Sequence, residues 1–115
     1  MYAAKHRLRK ETDINKVLRS KKGVFDSACG IKYAPNGLDH GRFAVVVGTK
    51  VSKNAVDRNR LRRQYQEIIR LHPEILDLPY DILCMVQKPA LTLDYDAKQQ
   101  RFLAVLAKAR LSAKA

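Results

Sequence analysis

The chain has little acid: 11 Asp and Glu stand against 23 Lys and Arg in 115 residues, for a formal net charge of +12 and a pI of about 10.1. A compact domain this basic repels itself unless it meets a polyanion, so nucleic acid is the default partner and an acidic membrane surface the weaker alternative. Long apolar runs are missing too. No stretch approaches the ~20 residues that a membrane span requires. The start, Met1-Tyr2-Ala3-Ala4-Lys5-His6-Arg7, has no apolar signal core, so the expectation is a cytoplasmic protein without a membrane partner. Cysteine is scarce. Cys29 and Cys84 are far apart and each lies among apolar neighbours, which predicts two reduced, packed thiols. With no Cys-x-x-Cys or His-x-x-x-His spacing, neither a disulfide nor a protein-held metal is expected. His6, His40 and His72 are scattered through loop-like segments, no nucleophile stands beside a base, and there is no Gly-rich phosphate loop. No catalytic residue is expected in this chain. What is present, 46% hydrophobic residues with five Tyr and three Phe, fits one folded domain over 1–115.

The run from Lys50 to Arg70 reads as one helix. Asn54 is a good N-cap, and Asp57, three residues on, is the expected capping-box partner, in a first turn where the helix dipole favours negative charge. Leu61, Tyr65, Ile68 and Ile69 recur at i, i+4, i+7 and i+8 and so share one apolar stripe. At ~100° per residue, Asn59, Arg63, Gln66 and Arg70 fall roughly opposite that stripe, with Arg58 and Arg62 flanking it. Such a helix buries one side and offers guanidinium forks, which match phosphate oxygens, on the other. A solvated surface helix is the plainer reading, but exposed helices ordinarily interleave both signs and this one does not.

Elsewhere, Thr12 is placed to cap a short helix in which Ile14, Val17 and Leu18 share a face, ended by Lys21-Lys22-Gly23. Residues 27–33 suggest a strand, with a possible extra pairing at 23–26. Residues 34–41 form a punctuated turn. Phe43–Val47 reads as a central strand, and the long helix stops near His72-Pro73. Residues 74–79 are expected to be a loop, and Tyr80–Val86 a largely buried strand. Thr92 or Asp94 caps a last helix that packs through Phe102, Leu103, Leu106 and Ala109. The order is α-β-β-α-β-α, with the strands on either side of the basic helix as parallel neighbours. Residues 98–114 are basic without acid, in contrast to the acid-containing stretch 71–97, so the positive field should sit on the first, central and last helices.

The Arg58-Asn59-Arg60-Leu61-Arg62-Arg63 segment, preceded by Lys53-Asn54-Ala55-Val56, resembles the hallmark helix of the bacterial ribonuclease P protein subunit. The resemblance extends over nearly the whole chain: the basic start His6-Arg7-Leu8-Arg9-Lys10, the strand Arg42 to Gly48 before the motif, and the strand Tyr80 to Pro89 after it. It implies a small α/β (α+β) two-layer sandwich with a central sheet and a left-handed β-α-β crossover, although general rules favour the right-handed form. It also implies binding to the catalytic RNA of ribonuclease P and to the 5′ leader of precursor tRNA, with the RNA hydrolysing the phosphodiester by means of Mg2+ that it mainly holds itself. Lys50, Lys53, Asn54, Arg58, Asn59, Arg60, Arg62, Arg63 and Arg70, with Arg7 and Arg9, would contact RNA. Ile14, Leu18, Tyr33 and Phe43 would line the leader cleft. The family usually places aromatic residues where Ile14 and Leu18 stand, an arginine at Gln66 and a lysine at Thr49.

Three other readings compete with this one. A ribosomal or assembly protein would share the basic helix and bind ribosomal RNA. A helix-turn-helix DNA regulator needs two helices joined by a short turn, whereas the basic helix here lies between strands, so no DNA partner is expected. A self-sufficient nuclease needs clustered carboxylates, and only Asp77, Asp81, Asp94 and Asp96 are at all concentrated.

Overall fold

The strands flanking the basic helix do pair in parallel, and they set the frame of the molecule. In the computed structural model, which describes residues 3–109, the order is α1 (Glu11–Leu18), β1 (Gly23–Phe25), β2 (Cys29–Pro35), β3 (Arg42–Val46), α2 (Ala55–Arg70), α3 (Pro73–Leu76), β4 (Tyr80–Val86) and α4 (Tyr95–Lys108). Short 3-10 turns at Ala4–His6 and Lys88–Thr92 complete it. The sheet order is β1-β2-β4-β3. β4 runs antiparallel to β2, with Ile31 opposite Cys84, and parallel to β3, with Val45 opposite Cys84. The short strand around 23–26 is the edge strand β1, paired with β2.

β4 is central because it is apolar on both faces: Ile82, Leu83 and Cys84 are consecutive and all buried. On one face Ile31, Phe43, Val45, Ile82, Cys84 and Val86 form the main core with Leu61, Tyr65, Ile68 and Ile69 of α2 and Phe102, Val105 and Leu106 of α4. Burying each of the large side chains contributes ~1.5–3 kcal/mol. Tyr65 meets Phe102 edge to face, ring centroids 5.9 Å apart, which fixes α2 against α4. On the opposite face Leu83 joins Leu8 and Val17, with Ile14, Ala34, Ala44 and Met85 half-buried around them. The mixed α+β class holds, with α2 and α4 packed on one face of the sheet and α1 on the other.

Local chemistry departs from expectation in three places, at α1, at the start of α2 and at residues 73–76. The α1 helix starts at Glu11 after Lys10, with Thr12 inside it and no side-chain cap, and Leu18 is 42% exposed. Asn54 caps α2 by accepting from the Val56 amide at 2.9 Å. Asp57 does not return the bond: the Asn54 amide donates to Ser52 Oγ, and that hydroxyl donates to Asp57 at 3.1 Å. A serine two residues before the cap thus relays what the capping box does directly. Residues 73–76 form a helical turn, because Pro73 presets the first helical φ and Ile75 docks in the core. Of the two candidate caps for α4, Asp94 accepts from the Ala97 amide, while Thr92 bonds back to Pro89.

Arg42 attaches α1 to the sheet. Its Nε and Nη2 donate to both oxygens of buried Asp81 at 2.8 and 2.7 Å, and its Nη1 reaches Asp13 of α1 at 3.2 Å.

Candidate nucleic-acid interface

Buried Leu61, Tyr65, Ile68 and Ile69 fix the rotation of α2 and so decide which of its side chains face outward. Val56, Asn59, Arg62, Arg63 and Gln66 line a shallow groove of about 490 Å³ along its outer face, with no carboxylate among them. Arg62 donates to Asn59 Oδ1 at 2.5 Å, one turn away, so one guanidinium is held before any ligand arrives. Gln66 also borders a second recess, of about 180 Å³, with Arg7, Leu8, Arg9, Phe43, Ala44 and Val45. The Leu8 amide bonds to the Phe43 carbonyl at 2.9 Å, which lays the N-terminal segment along β3 and brings Arg7 and Arg9 to the foot of α2. Arg7 Nε is buried there without a hydrogen-bond partner among the described residues.

The predicted RNA-binding residues thus fall into distinct positions. Asn59, Arg62 and Arg63 line the groove, and Arg7 and Arg9 extend its surface. Arg60 and Arg70 lie exposed beside it, Arg60 3.7 Å from Asp57 and Arg70 paired with Glu67. Such exposed pairs contribute little and yield readily to a phosphate. Lys50 and Lys53 are exposed in the turn before α2. Asn54 and Arg58 have structural work: Asn54 is the cap, and Arg58 donates to the Ser52 carbonyl at 2.9 Å. On the α4 side, Lys98 is buried and donates to Gln64 at 2.7 Å; its burial, with Arg60 nearby, pulls its pKa down. Arg110 and Lys114 of the basic C-terminal stretch lie outside the described residues.

The four residues expected to line one cleft do not converge. Phe43 is 1% exposed and sits in the core beneath α2 and α4. Tyr33 packs against that same core, edge-on to Tyr80 with centroids 5.8 Å apart. Ile14 and Leu18 belong to α1, on the other side of the sheet. The reason is strand parity. Successive side chains point to opposite faces, so the sheet residues on the α1 side include Lys32, Ala34, Ala44, Val46, Leu83 and Met85. That alternation was legible, but which parity faced α1 was not, since both parities are apolar. The α1 face retains exposed apolar surface at Leu18 (42%), Phe25 (51%) and Val46 (44%), of which only Leu18 stood among the expected residues.

The carboxylates take other roles. Asp81 is locked in its ion pair with Arg42 and accepts from Asn36, and Asp94 is a helix cap. Among the described residues no group of three His, Cys, Asp or Glu side chains is placed to hold a metal.

Both thiols are buried. Burial, with Asp26 nearby, pushes Cys29 up to about 12, and burial raises Cys84 well above its ordinary value. Neither is a nucleophile at neutral pH. Two outcomes are expected. Iodoacetamide at pH 8 leaves native protein unmodified and labels both thiols after denaturation. Stability, followed by thermal unfolding, falls as pH rises from about 9 toward 12, because the unfolded chain releases thiol protons that the folded chain retains.

The Ribonuclease P family model matches residues 2–110. The chain belongs to the ribonuclease P protein family. The ribonuclease P protein component of Chromobacterium violaceum is 39% identical over 72 residues, covering 63% of this chain and 60% of that one. That of Syntrophobacter fumaroxidans is 36% identical over 83 residues, covering 72% and 69%. These alignments therefore span about two-thirds of the relatives' lengths. The solved RNase P protein of Staphylococcus aureus superposes with a TM-score of 0.84 at 26% identity, covering 93% of this chain and 97% of that one. That of Thermotoga maritima, at 24% identity, shares the fold with a TM-score of 0.79 over 89% and 96%. The family match takes in α2 with its groove, the N-terminal arginines and both faces of the sheet.

Proposed function

We propose that this chain is the protein subunit of ribonuclease P: a cytoplasmic, accessory RNA-binding component that joins a catalytic RNA and precursor tRNA and supports endonucleolytic removal of the 5′ leader. The observation that carries the reading is the outer face of α2, where Asn59, Arg62, Arg63 and Gln66 form a carboxylate-free groove continuous with Arg7 and Arg9. Bidentate guanidiniums there suit the phosphates of a folded RNA, and helix and sheet hold them rigidly. In this reading the chain supplies positive charge and shape, and the Mg2+-dependent hydrolysis belongs to the RNA. On the opposite side of the sheet, the half-exposed apolar surface beside α1 would take the single-stranded leader.

Reconstitution tests the proposal. Protein, a bacterial ribonuclease P RNA and precursor tRNA are combined at a magnesium concentration too low for the RNA alone. Restored cleavage at the mature 5′ end is the expected result. No restoration, with tight binding to ribosomal RNA instead, would assign the chain to ribosome assembly.

A further inference from the structure

We propose that Phe25, lying on Gly30, is a stacking platform for an unpaired RNA base. The proposal rests on the reading that the α1 side of the sheet receives single-stranded RNA, and it names the residue that would hold a base there. Register places Phe25 opposite Gly30, Gly30 opposite Met85 and Met85 opposite Val46, so the four form one row across all four strands. A Cβ on Gly30 would lie 2.0 Å from Phe25 Cδ2 and 2.7 Å from Cγ, so the ring rests directly over the glycine backbone. One face of the ring is thereby supported while Phe25 remains 51% exposed. Val46 at the far end of the row is 44% exposed, and Met85 between them is partly so.

The neighbouring row, Lys32-Leu83-Ala44, is where α1 packs: Leu83 is buried with Val17, and Lys32 Nζ donates to the Leu18 carbonyl at 2.9 Å. In the row of Phe25, Met85 packs against the edge of that cluster, while Phe25 and Val46 at the two ends stay exposed. Lys16, Arg19, Lys21 and Lys22 are exposed along the segment that leads from α1 into β1, and no acidic residue lies between Ile14 and Phe25. The next residue, Asp26, is engaged by Arg101 at 3.1 Å. A supported aromatic face within a run of uncompensated cations is the arrangement by which single strands are held without regard to sequence: cations track the backbone and rings stack the bases. If Phe25 did no more than cover Gly30, its replacement would alter stability and leave binding unchanged.

The chain contains no tryptophan, so Phe25→Trp installs a unique reporter. Parent, Phe25→Ala and Phe25→Trp proteins are titrated with a single-stranded oligoribonucleotide of about eight nucleotides, and with the same strand carrying abasic positions. Phe25→Ala is expected to bind the single strand about 5- to 100-fold more weakly, with unchanged affinity for structured RNA. Phe25→Trp is expected to restore binding, with its emission quenched by the normal strand and not by the abasic one. Unchanged affinity in Phe25→Ala, or unmoved tryptophan emission at saturation, overturns the proposal. If Lys21→Ala/Lys22→Ala weakens binding while Phe25→Ala does not, the single-strand reading of this face stands and the platform falls. If the parent itself does not bind the strand, both fall.

Discussion

Replacing Arg42 by alanine is expected to destabilise the protein by roughly 2–4 kcal/mol. The guanidinium satisfies both oxygens of Asp81, whose side chain is 7% exposed, so truncation leaves a buried carboxylate with Asn36 as its remaining side-chain partner among the described residues. The lower part of the range for buried pairs applies, because the Arg42 side chain is itself 22% exposed and water can reach the vacated space. Asp81's hydrogen bonds also hold the Arg42 pKa above its ordinary value, so the guanidinium stays charged. In urea the midpoint should fall with an unchanged slope. The double variant Arg42→Ala/Asp81→Asn should recover part of the loss, since the uncompensated charge is gone. A loss below about 1 kcal/mol, or no recovery in the double variant, would mean that water satisfies Asp81 and that packing alone holds α1. The effect extends beyond stability, because the same guanidinium reaches Asp13: the variant should loosen α1 against the sheet.

The second large effect concerns RNA. Arg62→Ala/Arg63→Ala should leave stability within about 0.5 kcal/mol of the parent, since both side chains point out of the core. Affinity for the catalytic RNA should nevertheless drop about 10- to 100-fold at moderate salt, and the slope of log affinity against log salt should shrink by about 1–2. The slope is the sharper readout, because it counts phosphates and is insensitive to a small loss of active protein. An unchanged slope with reduced affinity would place these arginines away from the phosphates.

Much of this was legible in the residues. The apolar stripe of α2 is long and strictly periodic, so its buried face, its rotation and its outward arginines could all be read before any coordinates. The Asn54 cap and the parallel pairing of the strands around the helix were equally plain, since a crossover helix between two apolar runs leaves few alternatives. What could not be read depends on partners distant in sequence. Lys10 caps nothing and Leu18 is left outside because α1 is positioned by Arg42 and Ser20 contacts to the sheet, not by its own ends. Phe43 and Tyr33 were expected in the cleft because the family resemblance implies aromatics there and Ile14 and Leu18 supply none. Their strand parity instead directs them into the core, which only the registers with β4 reveal. Phe25 was invisible for a related reason: a three-residue strand carries almost no periodic signal, and the feature that matters is Gly30 opposite it.

The central claim is a division of labour between two faces: the outer side of α2 for the catalytic RNA and the α1 side of the sheet for the leader. Tethered cleavage tests it directly, and the chain suits the method because its two native thiols are buried and unreactive. Val56, 69% exposed in the α2 groove, and Val46, 44% exposed on the other face, are each replaced by cysteine and loaded with an iron chelate. The assembled complex with precursor tRNA is then exposed to hydroxyl radical chemistry. Cuts in the catalytic RNA from position 56 and in the 5′ leader from position 46 are expected. Cuts in the leader from position 56, or in the catalytic RNA alone from both positions, would contradict the account.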